Sequence, residues 1–205
     1  MCYSTSIQKE QQDIQKHFNR QFKAGLEFHP TAVNLGFSHN FTPIIPVDDS
    51  DFITLAQWGL VPFWAKDTSF QKNTLNAKIE TITELSSFKN YVKNRCLIIA
   101  DGFYEWKWLD EKGKQKEKYF ITLPNQELFA FAGIYSDYTN KQTGETYRTY
   151  SMVTTAANDL MAEIHNTKKR MPVILPPDYE SHWLNLGAIE DFKAIPVDLV
   201  ATCNN

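Results

Sequence analysis

The spacing of apolar residues predicts a helix near the start of the chain, followed by irregular chain and then a strand. Four apolar residues fall on one helical face, and Gly25 follows them as a candidate C-cap. These residues are Ile7, Ile14, Phe18 and Phe22. Residues 29–51 are rich in Pro, Asn and Ser, so we expect an irregular surface segment there. Residues 52–60 are typical of a strand ending in Trp-Gly, and 61–76 of a loop.

Beyond residue 95 the pattern changes to one typical of β-structure. The predicted strands are 96–108, 118–123, 128–138, 146–155 and 172–175. Residues 141–144 form a predicted hairpin turn, and short helices are expected at 158–165 and 178–186. No repeat or linker divides the chain. We therefore expect one α+β domain over residues 2–205, built mainly on antiparallel sheet.

Composition narrows the class of protein further. The chain has 205 residues, 42 % of them hydrophobic, which is enough for one large domain. It lacks an apolar run of membrane-spanning length and the N-terminal pattern of a signal peptide, so we expect a cytoplasmic protein. Three cysteines without C-x-x-C spacing and five scattered histidines predict no disulfide framework, no metal and no cofactor. With a net charge of −3, any contact with nucleic acid must come from a local patch.

Cys2 carries the most distinctive candidate chemistry, because removal of Met1 would make it the N-terminus. It would then present an amine and a thiol on one residue. Such a group condenses with an aldehyde to an imine, which the sulfur closes into a thiazolidine. An α-amine with a pKa near 7.7–8.0 is roughly 10–20 % neutral at pH 7, far more than a lysine amine. Taken alone, a Cys at position 2 is better explained as an accident of start-codon context.

Two internal segments carry polar residues that permit two interpretations each. Asn76 either caps a helix N-terminus or aims its amide into a cleft, with Lys78 beside it for an anion. Glu105 lies in an aromatic strand, on the face shared by Phe103 and Lys107. Its carboxyl is either exposed at a sheet edge or desolvated, and desolvation would raise its pKa toward the range of a general acid.

A third segment combines a histidine with a run of cations. His165 ends a predicted helix, and Lys168, Lys169 and Arg170 follow closely. The cluster suits a phosphate-facing rim with a group that titrates near neutral pH. It is equally explained by favourable interaction of these cations with the helix dipole.

Together these segments resemble the SOS response-associated peptidase (SRAP) family, the abasic-site-processing proteins. The matching pieces run in family order from residue 2 to about residue 184. They are Met1-Cys2, Trp58-Gly59-Leu60-Val61-Pro62 with Trp64-Ala65-Lys66, Asn76-Ala77-Lys78, Arg95-Cys96-Leu97 through Ala100-Asp101-Gly102-Phe103-Tyr104-Glu105-Trp106, and Arg170-Met171-Pro172-Val173-Ile174-Leu175.

The resemblance implies a fold and a function. The family fold has an open, barrel-like β core with flanking helices. Family members attach covalently to abasic sites in single-stranded DNA, through a thiazolidine between the N-terminal Cys and the open sugar. The implied partner is thus single-stranded DNA with abasic sites, and the protein would associate with the nucleoid when on DNA. The sequence shows neither a coiled-coil pattern nor a large exposed apolar stripe, so we expect a monomer.

The same match implies roles for individual residues. Cys2 is the nucleophile, and Asn76 positions it and the sugar. Glu105 transfers protons and could also assist autocatalytic removal of Met1, while His165 handles the sugar hydroxyl or phosphate. Trp64 would stack on a base. The implied phosphate contacts are Lys78, Lys168, Lys169 and Arg170.

The chain departs from the family pattern at three places. The family commonly begins Cys-Gly-Arg, whereas this chain has Tyr3 and Ser4, so an early phosphate-binding Arg is missing. Lys78 replaces the usual Arg and cannot bind bidentately. Four residues separate His165 from Arg170, so His165 reaches the site only if the helix ends there and a turn follows. We expect weaker or more salt-sensitive DNA binding than in a typical relative.

Two other functions fit parts of the pattern. A cysteine hydrolase acting on peptides or small substrates in trans would need a His base beside Cys2. A non-catalytic binding domain would show salt-dependent DNA affinity that ignores abasic sites.

Overall fold

The computed structural model describes residues 2–204, which contain three α-helices and 14 β-strands. The helices are α1 (Gln11–Phe18), α2 (Asp159–Ile164) and α3 (Pro177–Leu184). The first seven strands are β1 (Ser4–Ile7), β2 (Gln21–Phe22), β3 (Thr31–Leu35), β4 (Phe41–Pro46), β5 (Phe52–Trp58), β6 (Asn76–Lys78) and β7 (Arg95–Ala100). The others are β8 (Gly102–Trp108), β9 (Lys116–Thr122), β10 (Phe129–Thr139), β11 (Thr146–Ala156), β12 (Arg170–Pro172), β13 (Ile174–Leu175) and β14 (Val200–Cys203).

The larger sheet contains a closed ring of five strands. Its order runs β11-β10-β7-β4-β5 through antiparallel pairs, and β5 then pairs with β11 in parallel at Trp58 and Tyr150. Closure removes two exposed strand edges. The predicted fold class, a mainly antiparallel, barrel-like β core with few helices, is confirmed.

The smaller sheet places the N-terminus beside the candidate catalytic strand. Its order is β14-β9-β8-β1-β3, with every pair antiparallel. Thr5 of β1 lies opposite Phe103 of β8, so the residues before β1 run alongside the second half of β8. A hydrophobic cluster with members from both sheets surrounds Cys2, and it includes Phe103 and Tyr150.

The predicted N-terminal helix is wrong in its limits. Ile7 belongs to β1 and Phe22 to β2, and only Ile14 and Phe18 are buried residues of α1. The helix ends because Asn19 adopts a left-handed conformation and donates its N–H to the Gln15 carbonyl. Apolar spacing alone cannot separate a helix from two flanking strands that bury residues in the same core.

Two strand predictions also need correction. Residues 29–51 are not irregular, because they contain β3 and β4. The single strand predicted over 96–108 is two strands in different sheets, which change over at Asp101. A Cβ at Gly102 would lie 2.4 Å from the Phe120 ring, so the close approach there requires glycine. The chain therefore bends at Asp101-Gly102. The turn predicted at 141–144, between β10 and β11, is confirmed.

Candidate active site

Cys2 lies fully buried immediately before β1. Its side chain is 0 % exposed, and the thiol donates a weak hydrogen bond to the Ser4 carbonyl at 3.6 Å. Burial, followed by the nearby Glu105 carboxyl, raises the pKa of the thiol well above its usual range. With Met1 attached, the thiol is therefore protonated at neutral pH.

Asn76 holds the backbone of Cys2 in place. Its Nδ2 donates to the Cys2 carbonyl oxygen at 2.8 Å. The amide is aimed by β6, where Asn76 lies opposite Met152 in a parallel pair with β11, and by the preceding residue, whose carbonyl accepts from the Trp58 indole at 2.8 Å. Asn76 is thus a strand residue directed inward, and the alternative of a helix N-cap is wrong.

Glu105 provides a buried acid next to Cys2. It lies in β8 and is 5 % exposed, so the alternative of a carboxyl at an exposed sheet edge is wrong. Burial raises its pKa to about 7. Its Oε1 has no hydrogen-bond partner among the described residues. A carboxyl of this kind exchanges a proton readily at neutral pH.

His165 is brought to the site by a tight turn. The helix ends at Ile164, the Lys169 N–H donates to the His165 carbonyl at 2.8 Å, and Lys169 adopts a left-handed conformation. His165 Nδ1 lies 2.8 Å from the Arg170 carbonyl, which can only accept, so Nδ1 carries the proton and Nε2 is the acceptor in the neutral ring. Burial lowers the pKa of His165, which favours this neutral form.

The turn is attached to β8 by Asn166. Its amide donates to the Trp108 carbonyl at 2.8 Å and accepts from the Trp108 N–H at 3.2 Å. Lys107 adds an ion pair with Glu163 of α2, with 2.6 Å between nitrogen and oxygen. The four residues between His165 and Arg170 therefore loop out without carrying His165 away from Glu105.

A cavity of about 320 Å³ opens to the surface between β8, β9 and the turn after α2. Glu105 and His165 both line it, and Lys168 stands at its rim. Its lining residues are Tyr3, Glu105, Trp106, Trp108, Lys116, His165, Thr167 and Lys168. Two of the four predicted catalytic residues, Glu105 and His165, therefore line the cavity. Cys2 is not among the lining residues but directly precedes Tyr3, which is, and Asn76 donates to the Cys2 carbonyl.

The remaining predicted DNA contacts occupy different positions. Lys78 and Lys169 are exposed. Trp64 is 42 % exposed and packs edge-on against Phe70, away from the lining of this cavity. Arg170 is largely occupied, because it forms a bidentate pair with Glu80 at 2.6 and 2.9 Å and donates to a backbone carbonyl of β11.

Five residues of the cavity wall were not predicted from the sequence: Tyr3, Trp106, Trp108, Lys116 and Thr167. The only sequence signal at Tyr3 was that the family commonly has Gly at this position. Lys116 reaches the site because β9 pairs with β8 opposite Trp108, and a pairing of this kind leaves no periodic signal in the sequence.

Residues 2–204 contain no group of three or more His, Cys, Asp or Glu side chains placed to hold a metal ion. Within the same range no helix has the length and apolar character needed to cross a membrane.

Comparison with known proteins identifies the family. The model for SOS response associated peptidase (SRAP) matches residues 1–201. Abasic site processing protein YoqW of Bacillus subtilis (strain 168) is 41 % identical over 187 residues, which cover 90 % of this chain and 80 % of the relative. Abasic site processing protein HMCES of Gallus gallus is 31 % identical over 163 residues, or 68 % of this chain and 47 % of the relative. A crystal structure of a Bacteroides thetaiotaomicron protein is 31 % identical with a TM-score of 0.89, covering 100 % of this chain and 92 % of that one. The chain belongs to the SOS response associated peptidase (SRAP) family.

Proposed function

We propose that this protein processes abasic sites in DNA, and that it captures them in single strands through a covalent thiazolidine at Cys2. The relatives named as abasic site processing proteins support the first part. The observation that carries the second is the placement of Cys2, whose carbonyl accepts from Asn76 at 2.8 Å beside a buried acid with a pKa of about 7.

The reaction begins once hydrolysis removes Met1 and exposes the α-amine of Cys2. The amine adds to the C1′ aldehyde of the ring-opened sugar, and loss of one water gives an imine. The thiol then adds across the C=N bond, so that sulfur bonds to carbon and the thiol proton moves to nitrogen. No oxidant or reductant is consumed, and reversal follows the same steps.

Glu105 supplies the proton transfers that these steps need. With a pKa of about 7, it is present in both protonation states at neutral pH. It can protonate the departing hydroxyl, which leaves as water, and then accept a proton from the iminium nitrogen. The neutral His165 ring offers Nε2 as an acceptor for a sugar hydroxyl, because its Nδ1 is held by the Arg170 carbonyl.

DNA would approach along the cation-lined side of the cavity. Lys168 is at the rim, and the exposed Lys78 and Lys169 are available for phosphates. Trp64 offers an exposed ring for a base further along the strand. Arg170 is a weaker candidate for phosphate binding than the lysines, since Glu80 already occupies its guanidinium. We propose a monomer as the binding form.

A cysteine hydrolase acting in trans is less well supported. Such an enzyme needs a thiolate activated by a base, whereas the Cys2 thiol donates to a backbone carbonyl and has a raised pKa. The arrangement favours at most one internal cleavage, the removal of Met1. If Glu105 assists that cleavage, Glu105→Gln will retain Met1, and intact-protein mass spectrometry will report the mass of the extra residue.

The central test uses untagged protein and a single-stranded oligonucleotide with one abasic site. Wild-type protein should give a heat-stable shifted band on a denaturing gel without borohydride. Cys2→Ala should give none, while Cys96→Ala, at a buried thiol outside the cavity, should still crosslink. A persistent band with folded Cys2→Ala would refute the proposal. So would the absence of a band from wild-type protein whose mass confirms loss of Met1.

A further inference from the structure

An aromatic pair, formed by the half-buried Tyr3 and the exposed Phe37, lies at the edge of the cavity and has no role in the chemistry described above. The rings of Tyr3 and Phe37 have centroids 5.1 Å apart and are tilted by 39°. Phe37 is 59 % exposed, and the neighbouring Leu35 is 48 % exposed. Large apolar side chains clustered on the surface in this way are typical of a contact surface.

The position of this pair is fixed by the backbone that also fixes Cys2. Tyr3 follows Cys2 directly, and its carbonyl accepts from the Gly36 N–H at 2.8 Å, which ties it to the turn that carries Phe37. Tyr3 also lines the cavity that contains Glu105 and His165. The pair is therefore a continuation of the candidate active site, one residue away from the reacting group.

We propose that Tyr3 and Phe37 form a stacking subsite for the base next to the abasic sugar. The inference rests on the proposed capture of abasic single strands. An unpaired base suits this surface because the two faces of the base are flat and apolar. The phosphate of the same nucleotide can reach Lys116 and Lys168, which line the cavity together with Tyr3. Ser4 is buried and uncharged, so the start of β1 offers the DNA the aromatic ring of Tyr3 but no cation.

The experiment uses an oligonucleotide with a tetrahydrofuran abasic analogue, which cannot crosslink, and 2-aminopurine on its 5′ or 3′ side. Stacking on an aromatic ring quenches 2-aminopurine fluorescence, so wild-type protein should quench one of the two probes. Tyr3→Ala should abolish the quenching and weaken binding roughly 5- to 100-fold, the range for loss of one base–aromatic stack. Tyr3→Phe should retain both properties, and the salt dependence of binding should not change because no charge is lost.

Phe52→Ala provides the matched control, since Phe52 is 42 % exposed at the start of β5 and lies outside the cavity. It should bind and quench as wild type does. If Tyr3→Ala misfolds by circular dichroism, Phe37→Ala decides the question, because that ring is largely in solvent. Wild-type quenching that survives Phe37→Ala and Tyr3→Ala, or no quenching by wild type at either position, would overturn the subsite.

Failure of the subsite and failure of the proposed function give different results. If only the subsite is wrong, wild-type protein still crosslinks to the natural abasic site, and Tyr3→Ala crosslinks equally well. If only the Cys2 chemistry is wrong, quenching of the tetrahydrofuran oligonucleotide persists while no covalent band forms.

Discussion

Glu105 links the chemistry of the site to the stability of the fold. Its pKa rises from an ordinary value of 4.5 to about 7 because the carboxyl is buried. Between these values the native state binds more protons than the unfolded state. The free energy of unfolding must therefore fall as pH rises from about 4.5 to 7, and this contribution levels off above pH 7.

Glu105→Gln should remove this penalty while impairing catalysis. At about pH 8 we expect the variant to be more stable than wild type by up to about 3 kcal/mol, the equivalent of the pKa shift. Near pH 4.5 the difference should vanish. Urea unfolding at a series of pH values measures the effect, and crosslinking by the same protein should be slowed at least about tenfold.

Glu180 offers the matched control. Burial also raises its pKa to about 7, but it lies on α3 and lines a different cavity. Glu180→Gln should gain stability over the same pH range and crosslink at the wild-type rate. Equal crosslinking by the Glu105 and Glu180 variants would contradict the assignment of proton transfer to Glu105.

At the scale of secondary structure, the turn after α2 determines whether His165 can take part. Its connection to β8 depends on one side chain, because the Asn166 amide makes both hydrogen bonds to Trp108. The ion pair between Lys107 and Glu163 joins the same elements, but exposed pairs of this kind contribute at most about 1 kcal/mol.

Asn166→Ala should therefore loosen the turn. Loss of the two hydrogen bonds should lower the free energy of unfolding by about 1–3 kcal/mol. Crosslinking should slow because His165 is no longer held beside Glu105. Asn125→Ala, which removes an exposed amide next to Glu127, is the comparison for both measurements. Wild-type crosslinking by a destabilised Asn166→Ala would show that the turn is structural only.

Strand and helix patterns could be predicted where each element presents its own apolar face, as in the hairpin of β10 and β11. They could not be predicted where pairing partners lie far apart in the chain. Asn76 was equally compatible with a helix cap, and only its pairing with β11, about 75 residues later, makes it a strand residue facing Cys2. The family motifs identified Glu105, but the wall formed by Tyr3 and Lys116 depends on contacts that no local pattern records.

On the scale of the whole molecule, a net charge of −3 leaves DNA binding to a few local cations. The candidate cations are Lys116 and Lys168, which line the cavity, and the exposed Lys78 and Lys169, which are not among its lining residues. Non-covalent affinity for single strands falls with salt with a slope of about −0.7 for each neutralised phosphate. Four such contacts would give a slope no steeper than about −3.

Removing one of these cations should change the slope by a predictable amount. Lys168→Ala should make it shallower by about 0.7, whereas Lys141→Ala, in the exposed hairpin turn, should leave it unchanged. Fluorescence anisotropy over a range of salt concentrations measures both variants. An unchanged slope for Lys168→Ala would place the DNA path elsewhere on the surface.

Burial of Cys2 has a consequence during synthesis of the chain. The cluster that buries it includes Tyr150 of β11, so burial cannot be completed until about 150 residues have left the ribosome. At 5–20 residues per second this takes roughly 8 to 30 seconds. During that interval the Cys2 thiol is exposed to solvent, and the burial that raises its pKa in the folded protein has not yet taken effect. The growing chain therefore presents a more reactive thiol than the folded protein does.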